Sequence, residues 1–338
     1  MAITVEDLFE LRKHLPVVDV RSESEWRQGH IPGTINIPLL NDAERVVVGT
    51  TYKQKGQKEA IREGFRLVGP RLGAMVQRAE EIGSEFIVHC WRGGMRSRNF
   101  CQFVGMIGLK THQLDGGYKA YRQAAHKAFA EPFKLVLLTG LTGSGKSELL
   151  RALKANGEQV IDLETLASHK GSVFGGLSMP AQPTTEQFEN ELFEVLLSLD
   201  RTRHVWVEDE SVAIGKIFLP SPFWKRMGKA PVFEVDVPKD VRIRRLVSEY
   251  ENVPVEAFHE ALRGITKKLG GQHYNSARDH LFAGDLAAAI EIILNYYDKA
   301  YATGIERKWN RIVEKISWDG KDLPGIVSVL MNRELSLQ

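Results

Sequence analysis

Apolar residues along this chain fall in short runs separated by polar turns. Residues 17–21, 34–37, 86–88, Lys134–Thr139, 205–211, 232–237 and 312–318 are too brief for helices and predict strands. A period nearer 3.6 appears at 99–106, where Phe100, Phe103 and Val104 share one face. Helices are also predicted at 120–131, 148–154 and 186–200, from Pro238 onward, and through 257–294 with a break at 272–275. Ser22 followed by Glu25 reads as a capping box. Pro132 ends one helix and opens a second domain, dividing the chain into 1–130 and 131–338.

Residues 41–71 exceed a plain connection and read as a basic insertion. Lys53, Lys55, Lys58, Arg62, Arg66 and Arg71 lie there, with Tyr52 and Phe65 between them. Basic loops with aromatics suit RNA backbone and base stacking, and a solvated, partly helical surface explains the pattern equally well. Gly64 is expected to mark a close backbone approach.

The length of 338 residues fits about two domains. With 43% apolar and 26% charged residues the chain has a soluble globular composition, and no apolar run is long enough to cross a bilayer. Residues 1–11 show no secretory pattern. Two cysteines cannot form a disulfide framework, which points to a reducing cytoplasm. Cys101 reads as a buried, inert thiol. A net charge of +2 neither demands nor excludes nucleic acid, and no Cys/His metal cluster is visible.

Cys90 is different. It directly follows a predicted strand and precedes Arg92, Gly93, Gly94, Arg96 and Ser97 at the head of a helix. Free N–H groups, the helix dipole and nearby arginines favour an anion there, so a thiolate nucleophile is expected. The second cluster is Gly140-Leu-Thr-Gly143-Ser144-Gly145-Lys146-Ser147, between a strand and a helix. This is a phosphate-binding loop: backbone N–H groups cradle the anion, Lys146 adds charge and Ser147 can reach a magnesium ion. Candidates for the acid or magnesium ligand are Asp162, Glu208 and Asp209, with Ser147 and Asp209 the expected pair and no dedicated metal site. The loops His169–Gly175 and 181–185 are expected at the ligand face. Arg245, Lys267 and Lys268 join Lys53, Lys55, Arg62 and Arg66 as candidate RNA contacts.

The block Asp19-Val-Arg21, Glu25, Gly29-His30-Ile-Pro-Gly33 and Asn36-Ile-Pro38, then the Cys90 loop and Leu114-Asp-Gly-Gly-Tyr118, resembles the rhodanese family. In that comparison Asp19, Arg21, Glu25 and His30 are read as a structural frame. Residues 90–96 count seven, one more than in common sulfurtransferase members, and His89-Cys-x5-Arg96-Ser97 resembles the tyrosine-phosphatase signature. A larger loop suits a phosphate or phosphochalcogen group.

Joined to the phosphate loop, to Asp162-Leu-Glu, His169-Lys-Gly-Ser with Phe174-Gly, and to Val207-Glu-Asp-Glu-Ser211, this order resembles the tRNA 2-selenouridine synthase family. The runs 49–56 and 267–270 resemble it too. The resemblance implies an α/β fold: a rhodanese-like domain, then a P-loop NTPase-like parallel-sheet domain with a helical C-terminal part. It implies a cytoplasmic transferase acting on tRNA that carries 2-thiouridine at the wobble position. Geranyl diphosphate would alkylate the sulfur, and selenium from selenophosphate would then replace it, with Cys90 carrying selenium as a selenosulfide anion beside Arg96. The phosphate loop is expected to hold geranyl diphosphate rather than ATP. A selenophosphate-supplying enzyme is a conceivable partner, and no membrane is involved. The competing readings are an ATP-dependent rhodanese-type sulfurtransferase and a Cys-dependent phosphatase.

Overall fold

The computed structural model describes residues 1–306 and 309–337, with only the backbone described for 300–306 and 309. The chain forms two compact units, Met1–Ala128 with Glu189–Glu194, and Phe129–Phe188 with Val195–Gln338.

The first unit is built on a five-stranded, all-parallel sheet. Its order is Ala2–Ile3, Lys110–Leu114, Glu85–His89, Val17–Asp19, Ile35–Asn36. Glu85–His89 and Val17–Asp19 at its centre are buried, largely apolar runs, as expected of a parallel sheet, whereas Lys110–Leu114 beside them is mostly polar. Register sets Asp19 beside His89, so the strand end that launches the Cys90 loop abuts the Asp19–Arg21 frame. Ser22 and Glu25 do form the capping box of helix Glu23–Gln28.

The insertion is a helical hairpin, not a loop. Helix Asp42–Lys55 starts at an Asn41/Glu44 capping box, and Gly56, at φ +85°, separates it from Gln57–Val68. Gly64 faces open space, not a neighbouring backbone.

The second unit carries another five-stranded parallel sheet, ordered Ile312–Ser317, Val232–Asp236, Lys134–Thr139, His204–Glu208, Val160–Ile161. The strand feeding the phosphate loop is central, where open α/β sheets place ligands. Trp206, Phe233, Leu149 and Leu153 pack the core between this sheet and its helices. Residues 272–275 do not interrupt a helix: Gly271–Phe282 is continuous, and the breaks fall at 264–265, at Gly270 with φ +86°, and at 283–285. A last helix, Leu323–Glu334, was not expected; it is capped by Asp322 and packs Ile326, Val327 and Leu330 on the core. Among the described residues no helix is long and apolar enough to cross a membrane.

Candidate active site

The first unit holds the thiol. Strand Glu85–His89 ends one residue before Cys90, and helix Met95–Gly105 begins after Gly94. Cys90 is 3% exposed, and its Sγ lies 3.2 Å from Ser97 Oγ. Gln113 Nε2 donates to that hydroxyl at 3.1 Å. The Ser97 proton therefore remains available for Gly94 O, 3.2 Å away, or for the sulfur. The rest of the loop is pinned by backbone: Tyr118 N donates to Cys90 O at 2.8 Å and Lys119 N to Trp91 O at 2.9 Å. Gly93, at φ +65°, sits against Leu114 O, and Gly117, at φ +58°, against Cys90 O and Gly93 N. Arg92 is exposed.

Arg96 does not point a bare charge at the sulfur. It makes a two-pronged pair with Glu25, 2.5 and 3.2 Å, and Arg45 Nε reaches the same carboxylate at 3.0 Å. Burial alone would raise the Glu25 carboxyl, but the hydrogen bonds and charge of Arg96 outweigh it and hold Glu25 below the usual range. Two of the five guanidinium donors are spent, so Arg96 is held in place while keeping donors for an anion.

The frame is structural. Arg21 and Asp19 form a fully buried pair at 2.6 Å, and Arg21 lies over the Tyr118 ring at 3.9 Å. His89 is buried, which pushes its imidazole down and keeps it neutral.

The second unit holds the phosphate loop, at a cavity of about 500 Å³ lined by residues 142–148, Arg151, Glu164, Lys170, Glu210 and Arg245 among others. Lys146 Nζ donates to Gly140 O at 3.1 Å, and Gly145 is left-handed at φ +84°. Ser144 Oγ is buried without a hydrogen-bond partner. Lys170, Gly171 and Ser172 reach the same cavity, as expected of the loop that bears them.

The acids differ from the expected set. Asp162 caps helix Leu163–Ala167, accepting from Thr165 N, so it serves the helix. Asp209 accepts the Thr139 hydroxyl at 2.7 Å. Ser147 Oγ donates not to Asp209 but to Glu164 Oε2, at 2.6 Å. Glu208 is buried beneath, accepting Glu164 N at 2.6 Å; burial, then the charges of Asp162 and Glu164, push it well above the usual carboxylate range. The acids lining the cavity are thus Glu148, Glu164, Glu210 and Glu249, and Asp162, Glu208 and Asp209 are not among them. Burial and the Glu164 charge raise Glu210 to about 7, against the pull of Lys146. Among the described residues no group of three or more His, Cys, Asp or Glu is set to hold a metal ion.

Of the candidate tRNA contacts, Arg245 belongs to the phosphate cavity: it pairs with Glu148 and stacks on Trp318 at 4.4 Å. Arg62 and Arg66 pair with Glu59 and Glu63 of their own helix. Lys53, Lys55, Lys267 and Lys268 are exposed. Sequence reading missed Gln113 and the Glu25–Arg96 pair, contacts that no local pattern announces.

A thiol-loop domain of rhodanese type joined to a P-loop domain defines the class. The Rhodanese-like domain model matches residues 4–124, and the tRNA 2-selenouridine synthase AAA domain model matches residues 133–258. The chain is 33% identical to a tRNA 2-selenouridine synthase of Nitrosomonas europaea, over 87% of this chain and 90% of that protein. It is 35% identical to one of Sulfurovum sp. (88% and 91%) and 38% identical to one of Nitrosomonas eutropha (87% and 89%). The chain belongs to the tRNA 2-selenouridine synthase family, enzymes that modify tRNA.

Proposed function

We propose that the protein converts wobble 2-thiouridine of tRNA to 2-selenouridine in two steps, through an S-geranylated base. In the first, the base sulfur bonds to the geranyl carbon, diphosphate leaves with the electron pair, and the N3 proton of the base passes to solvent. Negative charge grows on the leaving group, so preorganised donors accelerate the step. The N–H groups of Gly143 and of 145–147, with Lys146 and Arg245, supply them, while Ser144 N is taken by Leu141 O. No nucleotide hydrolysis is needed, and geranyl diphosphate rather than ATP is the proposed ligand. A magnesium ion fits Ser147 and Glu164, since this ion takes one or two protein ligands beside phosphate oxygens; it would spread the diphosphate charge.

In the second step selenium of selenophosphate bonds to C2, and the geranylthiolate leaves with the C2–S electron pair. The Se–P bond must then break. Selenium in selenophosphate is already fully reduced, so parking it on Cys90 as a selenosulfide would require an oxidant. Attack of the Cys90 thiolate on phosphorus needs none: an S–P bond forms, the Se–P pair stays on selenium, and water hydrolyses the phosphocysteine to thiol and phosphate. The observation that carries this reading is the Cys-x5-Arg-Ser loop, with Ser97 Oγ 3.2 Å from Sγ and Arg96 fixed by Glu25. Lys53, Lys55, Lys267 and Lys268 are the proposed tRNA-backbone contacts.

Incubation of Cys90→Ser protein with thiolated tRNA, geranyl diphosphate and selenophosphate tests this. Nucleoside analysis should show S-geranyl-2-thiouridine accumulating and no 2-selenouridine. Undiminished 2-selenouridine refutes the assignment.

A further inference from the structure

The first unit contains a cavity of about 610 Å³ that the phosphate chemistry does not use. It opens between the helical hairpin of the insertion and helix Met95–Gly105. Its lining is overwhelmingly apolar, with Leu39, Val46, Ile61, Val68 and Phe103 among the walls. Several of its residues are large apolar side chains left in solvent: Val46 is 62% exposed, Phe65 61%, Tyr52 55% and Met95 43%. Scattered exposed apolar groups are ordinary; their convergence on one concavity marks a binding site.

Two features tie this cavity to the thiol. Leu39, Leu40 and Val68 of its wall belong to the same packed cluster as Cys90, with Val48 and Phe103 against it. Arg96 and Arg45, both held by Glu25, stand at its edge with Lys53. An apolar interior under a cationic rim fits a ligand with a hydrocarbon chain and an anionic or nucleotide head.

We propose that this cavity is an isoprenyl site that receives the geranyl chain beside the Cys90 loop. The proposal rests on the two-step reading above, which supplies a ten-carbon branched chain. That chain arrives either on geranyl diphosphate or on the alkylated base, where it is the thiolate to be expelled.

Photoaffinity labelling of the full chain separates these sources. One probe is geranyl diphosphate bearing a diazirine in the chain; the other is an anticodon stem-loop whose 2-thiouridine carries the same chain. Labelled peptides should map to 42–68 and 95–103. Gly49→Leu fills open space at the wall, and Phe65→Asp makes the exposed rim polar. Each should cut labelling about tenfold without lowering the melting temperature. The probe that labels identifies the source. No labelling there by a wild-type protein that does make S-geranyl-2-thiouridine overturns the site and leaves the two-step reading standing. Labelling there that both variants abolish, in a protein that makes no such product, keeps the site and overturns the reading. Labelling indifferent to both variants is adventitious and overturns the site.

Discussion

Glu210 sits between Glu164, which resists its ionisation, and Lys146, which favours it. Burial decides the balance and lifts its carboxyl from 4.5 to about 7. Below pH 4.5 the group is protonated in folded and unfolded chains alike, and its contribution to stability is complete. As pH rises through about 7 the folded chain must carry a charge it disfavours, and stability is lost. At 1.36 kcal/mol per unit the loss is at most about 3 kcal/mol. Glu210→Gln removes the penalty, so it should melt higher than the parent at pH 8 and nearly with it at pH 4.5. Thermal melts at the two pH values check this, and equal differences at both contradict it. Glu25 behaves oppositely: its partners hold it low, so its support for Arg96 persists above its ordinary range and fades only in acid.

Between Cys90 and Gly117 the site is made by close backbone approach. Gly117 holds φ +58°, and a Cβ there would collide with Cys90 O and Gly93 N. Gly117→Ala therefore combines left-handed strain with a clash that no side chain can relieve. It should cost about 2 kcal/mol or more in chemical denaturation and abolish Cys90-dependent chemistry. Unchanged stability and activity would show that this turn does not set the loop. The apolar strands, the capping box at Ser22 and the phosphate loop were legible because each is a local pattern; the short edge strand Ala2–Ile3 and the polar strand Lys110–Leu114 were not. Nor was the insertion. Its Val46-Val47-Val48 run does not follow a helical face, and no residue of Asp42–Lys55 is buried, so periodicity had nothing to report for the first helix; the second, Gln57–Val68, does bury Ala60 and Val68 on one face. The Glu25–Arg96 pair joins residues 71 apart and the Ser147–Glu164 bond links two separate elements, so both are tertiary facts; that Asp162 caps its own helix is local.

Each unit has its own parallel sheet, its own core cluster and its own anion loop. The groups that receive the departing diphosphate belong to the second unit, and those of the thiol step to the first. A defect in one loop should therefore leave the other step intact. Lys146→Ala removes a charge at the departing diphosphate while leaving Cys90, Ser97 and Arg96 untouched; Cys90→Ser does the reverse. Neither variant alone should make 2-selenouridine. A mixture of the two proteins, given thiolated tRNA and both donors, should make it: the Cys90→Ser chain geranylates, the tRNA dissociates, and the Lys146→Ala chain completes the exchange. A time course should show S-geranyl-2-thiouridine rising before 2-selenouridine, because the alkylated base passes through free solution between two proteins. If the mixture stays inactive although the Cys90→Ser protein by itself accumulates the geranylated base, then the steps depend on one chain holding the tRNA throughout, and independent loops are the wrong description.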